Sequence, residues 1–260
     1  MVTGRGEGGA AISNLSPAEM ARYAGQMALE GWGRRAQERL KSSRVFLTGA
    51  AGAAGAAAHQ LLAAGVGTLR LVDNSRIRLA DLSQQSLFRE RDLVKAKAAV
   101  AEKRLQQVNP FARVEGQVKA LSDANVYRLT SGFHLLGTSE TGTAALLNLA
   151  AARHRLPLIW SWTWETEARL TTFWPGRGPC LACVPEDVLV PNSPVMPAQS
   201  LGPLPALVGS LMALEGLRVL GGSGPGLLGR LLIFHGRSFQ FLEIPLRCRP
   251  DCPVCQGLSE

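Results

Sequence analysis

Five cysteines stand at positions 180, 183, 248, 252 and 255, and four of them form two C-x2-C pairs, "CLAC" and "CPVC". Thiolates at this spacing on a tight turn grip one side of a tetrahedral ion, and a second pair closes the site with no open position for catalysis. Cys180, Cys183, Cys252 and Cys255 are therefore candidate ligands of a structural Zn²⁺ that ties the end of the chain to the segment after Pro179. Disulfides are the alternative for a secreted chain. Cys248 is left over, either a spare thiol beside the knuckle or a reactive nucleophile. A second constellation is "VFLTGAAGAAG", Val45 to Gly55. As T-G-x-x-G-x-x-G it suits a dinucleotide loop, and as a worn G-x-G-G-x-G it suits an ATP site. In either reading Gly49 and Gly52 let backbone N–H groups approach phosphates.

Asp73 closes the next β-rich run, "TLRLVD", about 20 positions beyond the glycine turn, where an acid accepts hydrogen bonds from a ribose or simply caps the following turn. Lys97 opens a helical run, as a ligand-binding cation or as part of a solvated face. Short-chain reductases need a Tyr-x-x-x-Lys pair, in which the lysine lowers the tyrosine pKa. Tyr23 and Tyr127 are the only tyrosines, and neither has a lysine four residues on, which argues against an NAD-dependent oxidoreductase. His59, His134, His154 and His235 have no ligand spacing and read as packing or surface residues.

The elements that must position these groups follow from periodicity. "SPAE" at Ser16–Glu19 is a capping box with proline at the first helical position, so a helix carrying "MARYAGQ" is expected. Arg44–Gly67 reads as strand, glycine turn and helix, closed by Gly65, and "TLRLVD" as a second strand. Asp92–Val108 reads as an amphipathic helix stopped by "NP", and "RVEGQVKAL" as the next strand. "FHLLGTS", "TGTAALLNLAAARH" and "LPLIWSWTW" continue as strand, helix and strand. That alternation implies a parallel sheet covered on both faces. After Thr166, "RLTTFWP", "LLIFH" and "SFQFLEIPL" read as short antiparallel strands, with one helix at "LPALVGSLMALEGLRVLGG". The fold class is thus α/β: a Rossmann-like, mostly parallel sheet continued by an antiparallel C-terminal part, with a four-cysteine zinc knuckle. Residues 1–14 read as a flexible tail and 15–260 as a single domain.

With 260 residues and 46% hydrophobic content, the chain can bury a sizeable core. The charge of +8 comes from arginines scattered through every segment with little aromatic interleaving, which argues against nucleic-acid binding and leaves an acidic protein partner open. No apolar run is read as reaching the roughly 18 to 20 residues of a membrane span, and the N-terminus lacks a signal-peptide core. The expectation is a cytoplasmic protein without a membrane segment.

Several motifs occur in order: "RYAGQ", "RVFLTGAAGAAG", "LAAGVGTLRLVDNSRI", "DLSQQSLF" followed by "KAKAAVAEKRLQQVNP", "GSLMALEGLRVL" and "RPDCPVC". Together they resemble the ThiF/MoeB/HesA family, relatives of the ubiquitin-activating enzymes, from Arg22 to Cys255. The resemblance implies adenylation of the C-terminal glycine of a ubiquitin-like sulfur carrier with ATP and Mg²⁺, usually by a homodimer with a structural four-cysteine zinc. On the matching positions it implies phosphate approach at Gly49 and Gly52, although two further glycines of the family fall on Ala51 and Ala54. It also implies ribose binding by Asp73 and phosphate binding by Lys97.

Other matching positions are replaced. The family's second acid after the strand falls on Ser75, an asparagine on Asp81 and an arginine on Gln84. The arginine expected to reach across a dimer is Gly25, although Arg22 is kept. The catalytic aspartate falls on Ser139, and the loop cysteine falls near Val195. Losing a preorganised charged donor costs roughly 2.7 to 4 kcal/mol of transition-state stabilisation. The reading is therefore a catalytically impaired pseudoenzyme, a scaffold or regulatory partner of a carrier or of an active paralogue, as a homodimer or heterodimer. The alternative is an active adenylyltransferase whose site is rebuilt with Arg76, Arg78 and Lys95. Trp160, Trp162 and Trp164 share one strand face, as ordinary core or as a filling for space that a nucleotide or carrier tail would take.

Overall fold

The computed structural model describes residues 14–190 and 200–258. Of the expected flexible tail at 1–14, all but Asn14 lies outside the described residues, as does Val195. One eight-stranded sheet runs through the molecule in the order β3-β2-β1-β4-β5-β6-β7-β8. Its strands are β1 (Arg44–Thr48), β2 (Thr68–Val72), β3 (Arg113–Gln117), β4 (Leu135–Thr138), β5 (Leu158–Trp164), β6 (Glu167–Phe173), β7 (Arg230–His235) and β8 (Gln240–Pro245). The strands from β3 to β5 are parallel, and β6, β7 and β8 add on antiparallel. The sequence reading of the fold class is thus met.

The helices are α1 (Pro17–Arg22), α2 (Ala24–Met27), α3 (Gly33–Ser42), α4 (Gly52–Ala63), α5 (Lys97–Leu105), α6 (Val126–Thr130), α7 (Thr141–His154), α8 (Glu186–Leu189) and α9 (Pro203–Gly221). One core joins the sheet to residues of α3, α4, α5 and α9, and a second joins its other face to α6 and α7. The capping box forms as expected: the Glu19 amide donates to Ser16 Oγ at 3.3 Å and the Ser16 amide to Glu19 Oε2 at 2.8 Å. The "MARYAGQ" run, however, breaks at Tyr23 into α1 and α2.

The helix expected over Asp92–Val108 is shorter, spanning Lys97–Leu105. Val94 adopts a left-handed φ of +62°, and the segment before the helix bonds instead to residues 75–77. The Ile77 amide donates to the Lys95 carbonyl, the Val94 amide to Ile77 and the Lys97 amide to Ser75. A tertiary backbone pairing has replaced the first turns of a locally plausible helix.

Contrary to the sequence reading, α9 is by length and composition apolar enough to cross a membrane, with a mean hydropathy of 1.4 over its best window. Its apolar faces are used inside the domain, where Leu204, Val208, Met212, Ala213 and Leu220 are buried. Buried Glu215 interrupts it, accepting from Thr172 Oγ1 at 2.7 Å and from the amides of Gly226 and Leu227.

Helices α4 and α9 touch backbone to backbone at Gly209. A Cβ there would lie 2.5 Å from both the Ala53 carbonyl oxygen and Ala56 Cβ. Because α4 begins in the glycine turn, this contact seats that turn against the rest of the fold. Gly209→Ala is expected to destabilise the protein by about 1–3 kcal/mol through overpacking, read as a lower urea midpoint with an unchanged m-value.

Candidate functional site

Strand β1 neighbours β2 on one side and β4 on the other, and the crevice beyond their C-terminal ends is the switch point of the parallel sheet. The glycine turn, Asp73, Ser139 and Glu140 follow the ends of these three strands. Gly49 has a φ of +82° and Gly52 of +54°, a backbone path that favours glycine and carries the chain from β1 into the N-terminus of α4. The seven-residue stretch from Gly52 to Ala58 contains only glycine and alanine, which lets α4 lie close to β1 and α9.

Asp73 is buried at the end of β2 and both its oxygens are engaged. Oδ2 accepts the Ala50 amide at 2.9 Å; Oδ1 accepts the Ser75 amide at 2.8 Å and the Ser75 hydroxyl at 2.6 Å. The capping role is therefore present, and it braces the glycine turn. Lys97 is not on a solvated face. It is buried at the start of α5, with Nζ 3.1 Å from Asp81 Oδ2. Burial works against an ionised Asp81, but the Arg78 amide and Lys97 outweigh it and hold the carboxyl below its ordinary pKa. The arginines and lysine of the rebuilt-site alternative are engaged too: Arg76 donates to the Val94 carbonyl, Arg78 lies 3.6 Å from Asp81, and Lys95 lies 3.2 Å from Asp92.

Ser139 sits half-buried just after β4, and the side chain that covers the glycine turn is that of its neighbour. The Glu140 side chain folds back over the glycine turn, so that a Cβ on Gly49 would stand 3.2 Å from Glu140 Oε1. Three threonines hold this arrangement from below. Thr48 Oγ1 lies 2.7 Å from Thr138 Oγ1 and 2.8 Å from Thr143 Oγ1; the Glu140 amide donates to Thr138 Oγ1 at 3.0 Å, and the Thr143 hydroxyl to Glu140 Oε2 at 3.4 Å. Burial, followed by the adjacent Asp73 carboxylate, pushes the Glu140 carboxyl up to about 7. Sequence reasoning stopped at Ser139 and missed Glu140. The available signal was an acid one position further on, in "TSET".

Gln84 lines a 330 Å³ cleft with Gly52, Gly55, Leu87 and Pro203, at the mouth between α4 and α9. Ser75 is exposed apart from its contacts to Asp73, and Gly25 lies on an exposed face of α2 with open space around it. These positions are not brought into one charged cluster within the chain. Lys97 is neutralised by Asp81, and two carboxyls, Glu140 and Asp73, face the turn where phosphates would approach.

At the other end of the sheet the four cysteines converge. Their sulfurs lie within 4.8 Å of one another, with Cys180–Cys252 at 3.5 Å, Cys183–Cys255 at 3.4 Å and Cys180–Cys183 at 3.8 Å. Four thiolates about 2.3 Å from one ion have tetrahedral edges of roughly 3.8 Å, so the set fits an ion such as Zn²⁺. Asn148 supports it, donating to Cys180 Sγ at 3.8 Å and accepting the Leu181 amide at 2.9 Å. Burial and the neighbouring Cys252 push the Cys180 thiol above its ordinary pKa. Cys248 is exposed and outside the cluster.

The sheet order, the glycine turn at its switch point and the cysteine knuckle define a Rossmann-like α/β protein with an antiparallel extension. The chain belongs to the ThiF family, which it matches over residues 23–254. It is 35% identical to the sulfur carrier protein adenylyltransferase of Thermus thermophilus, covering 91% of each chain. It is also 35% identical to the vegetative HesA protein of Trichormus variabilis, over 95% of this chain and 93% of that one. The adenylyltransferase and sulfurtransferase MOCS3 of Drosophila ananassae matches 96% of this chain at 32% identity, and this chain spans 56% of its length. Among solved structures, Escherichia coli MccB with MccA-N7isoASN shares the fold at a TM-score of 0.81 and 21% identity, covering 95% of this chain and 77% of that one.

Proposed function

We propose that this protein is a catalytically impaired ThiF-family member that scaffolds a ubiquitin-like sulfur carrier or regulates an active paralogue. The observation that carries the reading is the self-neutralised nucleotide site: Asp81 holds Lys97, Asp73 is saturated by Ala50 and Ser75, and Glu140 covers Gly49. Gln84, Ser75, Ser139 and Gly25 stand where the resemblance puts charged side chains, so the supply of positive charge and metal-binding oxygens is reduced twice over. Its surface supports a binding role. Edge strand β8 and the turn before it expose Phe239, Phe241, Leu242 and Ile244, apolar surface that a carrier, or a second subunit in a homodimer or heterodimer, would cover. We assign the four-cysteine site to structural Zn²⁺, residues 15–260 to one domain and the protein to the cytoplasm.

Pyrophosphate exchange with ATP, Mg²⁺ and a carrier ending in Gly-Gly tests the reading. The expected rate is at least about a thousandfold below that of an active relative assayed in parallel, given several lost donors at 10²–10³ each. Exchange at the relative's rate overturns it in favour of an adenylyltransferase with a rebuilt site.

A further inference from the structure

We infer that the Glu140 carboxylate, folded over Gly49, keeps triphosphate out of the glycine turn and so sets which ligands the site accepts. The inference deepens the proposed function and rests on it, because an impaired site has to be impaired by particular groups. Three observations converge on this one side chain. Its Oε1 lies against the position of a Gly49 Cβ, on the backbone turn that would otherwise face an anion. It is anchored there from its own backbone amide and from Thr143, over the Thr48–Thr138–Thr143 hydroxyl cluster, so this is a built conformation. The charged groups that act on it are Asp73 after β2 and Lys97 of α5, and Lys97 is paired with Asp81.

A second anion brought to this place meets Glu140 and Asp73, and Lys97, the cation that acts on Glu140, is already paired with Asp81. Like charges at such range repel far more strongly than in water. Uncharged ribonucleosides escape this penalty, whereas metal-free ATP carries it in full. The site therefore discriminates by ligand charge, admitting nucleoside far more readily than nucleotide when Glu140 is ionised.

The state of Glu140 tunes this exclusion. With burial and Asp73 raising its carboxyl to about 7, roughly nine-tenths is protonated at pH 6 and one-tenth at pH 8. If only the protonated form admits ATP, its apparent affinity scales with that fraction and falls about tenfold over the interval. The folded-state value lies above the ordinary carboxyl value, so ionisation costs stability. Wild type loses stability relative to Glu140→Gln as pH rises through the window from about 4.5 to 7, with the full deficit present above it.

The test is equilibrium binding of metal-free ATP, and of adenosine, to the full chain and to Glu140→Gln at pH 6 and pH 8. The ratio of the two proteins' affinities at each pH cancels the ionisation of ATP itself. The expected result is that Glu140→Gln binds ATP more tightly than wild type, by about tenfold more at pH 8 than at pH 6, while adenosine binds both proteins equally. Thermal denaturation of the unliganded proteins gives the independent readout: the variant melts higher at pH 8, and the difference closes by pH 4.5.

Equal ATP affinity of the two proteins at both values of pH, weaker binding by the variant, or binding by neither protein each overturns the inference. Pyrophosphate exchange by wild type at an ordinary rate sinks the scaffold reading without changing this ratio. A ratio of one sinks the role of Glu140 and leaves the scaffold reading standing.

Discussion

Cys252→Ser is expected to lower the melting temperature by about 10 °C, to reduce bound metal from about one ion per chain to well below one, and to release the C-terminal segment. Cys180 and Cys252 are fully buried and 72 positions apart in sequence, so an ion between them closes a long loop. Treated as a cross-link, closing a loop of that length contributes about 4 kcal/mol. At roughly 2–4 °C per kcal/mol for a domain of this size, that is the stated shift. A chelator should reproduce it in wild type and leave the variant unmoved. Cys248→Ser is the control, expected to be silent because the side chain is exposed and outside the cluster. Metal analysis, differential scanning calorimetry and hydrogen exchange over residues 246–258 read the outcomes. A zinc content near zero in wild type would refute the site.

Trp160→Ala is expected to cost about 3–5 kcal/mol, measured by urea denaturation. The indole is 1% exposed in the core between the sheet and α7, alongside Phe46, Leu136, Leu147 and Phe173. Removing it leaves a cavity that helix α7 and the cysteine segment cannot close without losing their own contacts. Trp162 is buried on the same face, with the Arg169 guanidinium 5.9 Å from its ring centroid. Trp164 is only half-buried and lines a surface groove with Glu165, Glu167 and His235, so Trp164→Ala should cost about 1 kcal/mol or less. The three indoles read alike in sequence, as one face of one strand. Their depth differs because β5 runs out of the core towards its end.

Much of the fold was legible because each element announces itself locally. The capping box of α1, the glycine turn between β1 and α4, and the fourteen residues "TGTAALLNLAAARH" of α7 all form where periodicity puts them. The misreadings are equally physical. Residues 92–96 have helical composition but Val94 and Lys95 pair with Ile77, and the long apolar run of α9 packs against α4 and the sheet, with ten of its nineteen residues buried.

The candidate site divides in the same way. Asp73 and the four cysteines were identifiable because their spacing along the chain is itself the signal: an acid at a strand end, and thiols paired on turns. The sequence alone thus determined the α/β class, the family resemblance, the candidate metal ligands and the list of replaced side chains. Only the tertiary structure decided what stands in their place. Lys97 meets Asp81 and Glu140 covers Gly49 across separations of 16 and 91 residues, and each is placed by packing between elements that share no local pattern. Charge in a buried crevice is settled by which side chains face one another there, a property of the assembled sheet end that no single stretch of the chain contains.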